Sequence, residues 1–279
     1  SNGTNVFSCP LGGGCGAGKV IFTGPTNPDF VTGAIAVPPA GTYGDRLFVA
    51  TGNWAVSNLS GGLYSVPRAG GAATAINSGE YPFTSVAFDA SAGLLYYAEE
   101  FGGSPQTGAV YREPLDASTS VMLSQSTRVL GPLAMDGANL YVGSRGLGEV
   151  LECPLGSASC TGISESLSPT ALFADGTALW VTESSPSAGY VYRCTSSAPC
   201  LFTTPAFATT TGPLGGIVSD GTRVYWAHQG GTEVMSCPVS GCVGAPSVVG
   251  GVAPGPTSVA VDATAVYWVD SLGVRKIAK

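Results

Sequence analysis

The sequence predicts an all-β fold, and three observations predict it. The chain is 44% hydrophobic but only 10% charged. That is apolar enough to offset the entropy of ordering and too poor in charge for a helical bundle or coiled coil. Glycine (41) and proline (20) recur at short intervals and together make about 22% of the chain, against roughly 12% in average usage. Third, one aromatic strand pattern occurs six times in 279 residues: Leu47-Phe48-Val49, Leu95-Tyr96-Tyr97, Leu140-Tyr141-Val142, Leu179-Trp180-Val181, Val224-Tyr225-Trp226 and Val266-Tyr267-Trp268. Successive copies stand 48, 45, 39, 45 and 42 residues apart.

Each element of the repeat has a local reason. Before five of the six aromatic strands comes a short apolar strand ending in an aspartate turn: Asp89-Ala90, Asp136-Gly137, Asp175-Gly176, Asp220-Gly221 and Asp262-Ala263. Aspartate suits such turns because its side chain bonds the backbone two residues on, and glycine accepts positive φ. The first repeat departs here, with Pro38-Pro39 and a longer loop through Tyr43. A third strand follows each aromatic one, as in Leu63–Val66, Val110–Glu113, Val150–Cys153, Val191–Cys194 and Val234–Cys237. The same pattern stands at both ends, in Val6–Cys9 and Val274–Ile277. A weaker fourth strand is read at Lys19–Thr23, Thr74–Asn77, Val121–Ser124 and Ser247–Val249. Four short strands per roughly 40–48 residues is the period of a β-propeller blade.

The expectation is therefore a six-bladed β-propeller, a single domain over 1–279, closed by N- and C-terminal strands in one blade. Strands within 6–24 complete the last blade, and the repeats run roughly 25–78, 79–126, 127–167, 168–208, 209–250 and 251–279. Residues 19–24 are expected as the outer strand beside 256–261 and 265–270. One third strand, either Val6–Cys9 or Val274–Ile277, is then surplus: it is a redundant edge strand or a lightly held tail, or else an unpaired edge that recruits a neighbouring chain.

On these residues the chain resembles known repeats. Pro256–Asp262, then Val266–Asp270, then Gly273–Ile277 are similar to YWTD and NHL propeller repeats. Val234–Pro238 with Gly241-Cys242 resembles secreted propeller proteins of myxobacteria and their relatives. The resemblance spans nearly the whole chain and implies the fold. It implies no one activity, because propellers host lyases, hydrolases, receptors and scaffolds alike.

Eleven basic against eighteen acidic residues leave a net charge of −7, with no cluster of Lys or Arg. This argues against nucleic acid, which needs clustered cations to displace counterions, and against an anionic membrane surface. No apolar run reaches the 18 or so residues of a membrane span. The eight cysteines form four close pairs, Cys9–Cys15, Cys153–Cys160, Cys194–Cys200 and Cys237–Cys242, with a single histidine, His228, in the chain. Zinc knuckles usually use CxxC spacing or added histidines, so disulfides across local hairpins are the expectation. They place the protein in an oxidising compartment: extracellular, periplasmic or at the cell surface. No signal peptide is present, and the numbered chain is read as a mature or trimmed form.

Aligning the aromatic strands puts Thr51, Glu99, Ser144, Glu183, His228 and Asp270 at equivalent strand exits, followed by Gly52, Glu100, Arg145, Ser184, Gln229 and Ser271. Two readings stand. The polar positions are a solvated rim, or Glu99, Glu183, His228 and Asp270 hold Ca²⁺ or Mg²⁺ or run acid–base chemistry. Streptogramin lyase, a propeller enzyme of related repeat type, uses an axial histidine with Mg²⁺; one histidine counts against carrying that activity over. No GxSxG elbow supports a serine triad. Tyr43, Trp54 and Phe101 are read as loop aromatics able to grip a sugar or peptide. Trp180, Trp226 and Trp268 are read as core. The expected function is a secreted, non-catalytic binding or scaffold propeller for a protein, peptide or carbohydrate ligand; the alternative is a metal-dependent lyase or hydrolase.

Overall fold

A computed structural model describes residues 5–8, 18–24, 30–41, 43–53, 60–101, 107–116, 119–126, 130–145, 148–164, 167–195, 206–250, 255–270 and 273–279. Every regular element among them is a strand. The N-terminal hairpin is β1 (Asn5–Ser8) with β2 (Lys19–Thr23). The first four-stranded sheet follows: β3 (Phe30–Ala36), β4 (Arg46–Asn53), β5 (Ser60–Pro67) and β6 (Thr74–Gly79). The second is β7 (Phe83–Asp89), β8 (Leu94–Phe101), β9 (Thr107–Pro114) and β10 (Val121–Ser126). The third is β11 (Leu130–Met135), β12 (Asn139–Ser144), β13 (Glu149–Pro154) and β14 (Thr161–Gly162). The fourth is β15 (Pro169–Ala174), β16 (Ala178–Ser184), β17 (Ala188–Thr195) and β18 (Ala208–Thr211). The fifth is β19 (Leu214–Ser219), β20 (Arg223–His228), β21 (Val234–Pro238) and β22 (Ser247–Val248). Last come β23 (Ser258–Val261), β24 (Ala265–Asp270) and β25 (Gly273–Ala278). Neighbours in sequence are neighbours in every sheet, so each is an antiparallel meander, as the repeat predicts. The six aromatic strands are the second strands of the six sheets. Among the described residues, β1–β2 is a two-stranded sheet of its own and β23–β25 a three-stranded one.

The chain falls into two compact units, residues 1–133 with 153–160 and residues 134–152 with 161–279. In the first, Ala36, Phe48, Ala50 and Leu63 of one sheet pack on Phe83, Val86, Leu95 and Tyr97 of the next. The other face of that first sheet, through Leu47, Val49 and Val66, packs on Val6, Ile21 and Phe22 of the N-terminal hairpin. In the second unit, Trp180 and Val191 meet Leu214, Val224 and Trp226, while Tyr225 and Val234 meet Val259, Val266 and Trp268. Adjacent residues Tyr225 and Trp226 thus point to opposite cores. Burial on both faces is why the strands read as continuous apolar runs. Trp180 and Trp226 are fully buried and Trp268 nearly so.

The aspartate turns do more than the sequence reading asked of them. In Asp136, Asp220 and Asp262 one carboxylate oxygen accepts from the backbone N–H groups two and three residues on. The other accepts the hydroxyl of the tyrosine five residues on: Tyr141 at 2.8 Å, Tyr225 at 3.0 Å and Tyr267 at 2.7 Å. Each turn is thereby locked to its own aromatic strand. Burial and the bond to Asp220 push the Tyr225 hydroxyl up to about 12. The Cys153–Cys160 and Cys237–Cys242 disulfides form within their own hairpins, as expected. Cys194 is also disulfide-bonded; Cys200, Cys9 and Cys15 lie outside the described residues.

Candidate functional site

The strand exits are built where β4, β8, β12, β16, β20 and β24 run out of their sheets, so each polar side chain has the backbone of its own or the next sheet within reach. In the first unit, Thr51 is fully buried and its hydroxyl donates to the Gly62 carbonyl at 3.3 Å. Glu99 is only 8% exposed. It shares a face with Tyr97, and across the strands with Tyr111 and the buried Glu113. A Cβ on Gly79 would stand 3.0 Å from its Oε1, so glycine leaves the room it occupies. Asn77 donates to Glu113 at 3.0 Å, whereas no donor among the described residues meets the Glu99 carboxylate. Burial first, and the Glu113 charge second, push the Glu99 carboxyl up to about 7. Glu100 is half-buried, and its backbone N–H donates to Pro82.

In the second unit Ser144 is fully buried. Arg145 is exposed and its Nε donates to the Pro169 carbonyl at 3.4 Å. Glu183 accepts the Ser168 N–H at 3.1 Å and the Tyr192 hydroxyl at 3.1 Å. Burial and then the Glu183 charge push that hydroxyl up to about 12. Beside it, Ser184 accepts from the Leu214 N–H at 2.6 Å and donates to the Leu214 carbonyl at 3.0 Å, tying β16 to β19 of the next sheet. His228 is buried; its Nε2 bonds the Thr211 carbonyl, which requires the proton on Nε2. Its Nδ1 lies 3.6 Å from Glu233 Oε2. Gln229 is exposed on the turn that follows. The Asp270 side chain is fully buried and accepts from Arg275 Nε at 2.6 Å across the β24–β25 hairpin. Glu233 and Arg275 are the partners that strand alignment missed; a charge five residues past His228 and Asp270 was the available signal.

Among the described residues no three His, Cys, Asp or Glu gather closely enough to hold a metal ion. The predicted loop aromatics also land differently. Phe101 is the last residue of β8 rather than part of a loop, paired with Thr107 and edge-on to Tyr81 at 4.7 Å. Tyr43 lies edge-on to Phe88 at 4.7 Å, and its hydroxyl donates to the Ala90 carbonyl. Trp54 and Ser271 lie outside the described residues. Tyr43 and Asp45 have φ of 52° and 53°, a conformation that costs a non-glycine residue of order 1–3 kcal/mol. Asp45 is held by an ion pair with Arg68 at 3.2 Å.

No protein-family model and no curated protein matches the chain. Among solved structures it is similar to a chain of the nidogen/laminin complex, with a TM-score of 0.61 at 13% identity over 78% of this chain and 86% of that one. It is also similar to the PQQ-bound aldose sugar dehydrogenase of Streptomyces coelicolor, with a TM-score of 0.60 at 14% identity over 86% and 88%. A Bacteroides thetaiotaomicron protein of unknown function matches with a TM-score of 0.54 at 13% identity over 88% and 69%. These likenesses show the fold: the chain is an all-β protein of the propeller class. At such identities they carry no activity across.

Proposed function

We propose that the chain is a non-catalytic binding or scaffold propeller working in an oxidising compartment outside the cytoplasm. The observation that carries this reading is how the polar side chains at the strand exits are used. Thr51, Glu183, Ser184 and Asp270 each bond the chain's own strands, and His228 bonds the Thr211 carbonyl. Groups spent on bonds within their own chain are a rigid framework rather than a nucleophile with its base. The two disulfides support the compartment.

As architecture, we propose six blades in one ring, the last completed by the N-terminal hairpin. That hairpin packs on the first sheet, and among the described residues β23–β25 has three strands where the other five repeat sheets have four. The ligand classes in keeping with this reading are a protein, a peptide or a carbohydrate, and β25, exposed along its length, suits self-association. Calorimetric titration with Ca²⁺, Mg²⁺ and Zn²⁺ tests it: no saturable binding is expected. Stoichiometric binding lost in Glu183→Gln or His228→Asn would overturn it in favour of a metal-dependent lyase or hydrolase.

A further inference from the structure

The first repeat is the one of the six that lacks the aspartate turn, and the loop that replaces it borders a cleft. The loop between β3 and β4 runs through Gly41, Tyr43, Gly44 and Asp45, all with positive φ. Among the described residues, Tyr43 and Asp45 are the two non-glycine residues in that conformation. Such outliers persist where the surroundings over-determine them, and they collect at binding sites. Here Arg68 clamps Asp45, while Phe88 and Ala90 clamp the Tyr43 side chain. What the clamps hold in place is one wall of a cleft of about 390 Å³, within the size range of small-molecule sites.

Apart from Asp116 on the lip, the polar side chains of the walls are donors. Phe48, Ile76 and Leu115 supply an apolar floor. Arg46 donates through Nε to the Ser65 hydroxyl and through Nη2 to the Ser65 carbonyl at 2.8 Å and the Thr74 hydroxyl at 3.3 Å. Each hydroxyl accepts from the guanidinium, so each keeps its own proton to give, and no described residue accepts from Nη1. Two hydroxyls and a guanidinium edge therefore offer donors side by side next to hydrocarbon, and Ser65 is only 8% exposed. Charge-assisted donors grouped this way suit an oxyanion.

We propose that this cleft binds a small organic carboxylate with an apolar body, its carboxylate on Arg46, Ser65 and Thr74 and its hydrocarbon on Phe48, Ile76 and Leu115. The inference rests on the binding reading above and names a ligand class for it. The test is calorimetric titration with phenylalanine, phenylacetate, phenethylamine and glucose, on the unaltered protein and on Arg46→Met and Ile76→Trp. Ile76→Trp fills the cleft without touching the donors, and thermal melts confirm that each variant is folded. Phenylalanine and phenylacetate should bind, with affinity at least tenfold weaker in both variants; phenethylamine and glucose should not. Carboxylate binding that both folded variants leave unchanged would put the ligand elsewhere, overturning the cleft while the binding reading stands. Binding of phenethylamine or glucose in preference to the carboxylates, or of none of the four, would overturn the ligand class.

Discussion

Glu99→Gln should make the protein more stable at pH 8 and leave it nearly unchanged near pH 4. The Glu99 carboxyl rises from its ordinary 4.5 to about 7, through burial and then the Glu113 charge. A carboxyl raised in this way binds its proton more tightly folded than unfolded. Between those two values the folded state holds the extra proton, so stability falls as pH rises from about 4.5 to 7. The shift corresponds to about 3 kcal/mol, or about 2 kcal/mol once discounted for solvent at the strand end. Glutamine has the same shape and never ionises, so it escapes that cost above pH 7. Urea unfolding followed by tryptophan fluorescence at pH 4 and pH 8 measures it. The variant should gain about 2 kcal/mol at pH 8 and differ by less than about 0.5 kcal/mol at pH 4. An equal difference at the two pH values, or a variant weaker at pH 8, would show that Glu99 ionises without this cost.

Other outcomes follow from the same geometry. Burial would raise the Asp220 carboxyl, but bonds from Lys279, Arg223 and Thr222 outweigh it and hold the group well below the usual carboxylate range. Its stabilisation is therefore present above the unfolded value and lost as pH falls; Lys279→Met should flatten that acid limb in melts from pH 6 to pH 2 and cost no more than about 1 kcal/mol at pH 7. Deleting residues 1–24 strips Val6, Ile21 and Phe22 from Leu47, Val49 and Val66, and the melting temperature should fall much further than on loss of one disulfide; an unchanged melt would exclude the hairpin from closure. Replacing Cys153 and Cys160 together by serine opens a short loop, costing about 2 kcal/mol at most in denaturant unfolding and leaving the fold intact.

The repeat was legible because its signals are local: apolar runs of strand length, aspartate–glycine turns and a fixed spacing each act within a few residues. So were the cysteine hairpins at Cys153 and Cys237, for the same reason. The strand exits were legible as positions but not as environments. Glu99 and Glu183 occupy equivalent positions, yet Glu99 shares its face of the sheet with the Glu113 charge and Glu183 meets Tyr192 and the Ser168 N–H. Those differences come from neighbouring strands and sheets, which alignment of one strand does not see. Phe101 was misplaced because its polar neighbours looked like a loop, while pairing with Thr107 and the Tyr81 ring carries the strand on to it. The cleft beside Tyr43 was signalled only as a departure from the repeat.

Most of the polar side chains at the strand exits hold the protein's own strands, and the Asp270–Arg275 pair is where that reading is most exposed to test. Its N···O distance is 2.6 Å and the aspartate side chain is fully buried, so the two groups should be coupled by about 1 kcal/mol or more. A double-mutant cycle with Asp270→Asn, Arg275→Met and the pair, read by denaturant unfolding, measures that coupling. A coupling of this size is expected, with both single variants less stable than the parent. Zero coupling, with Asp270→Asn as stable as the parent, would contradict it and leave the strand exits free for chemistry.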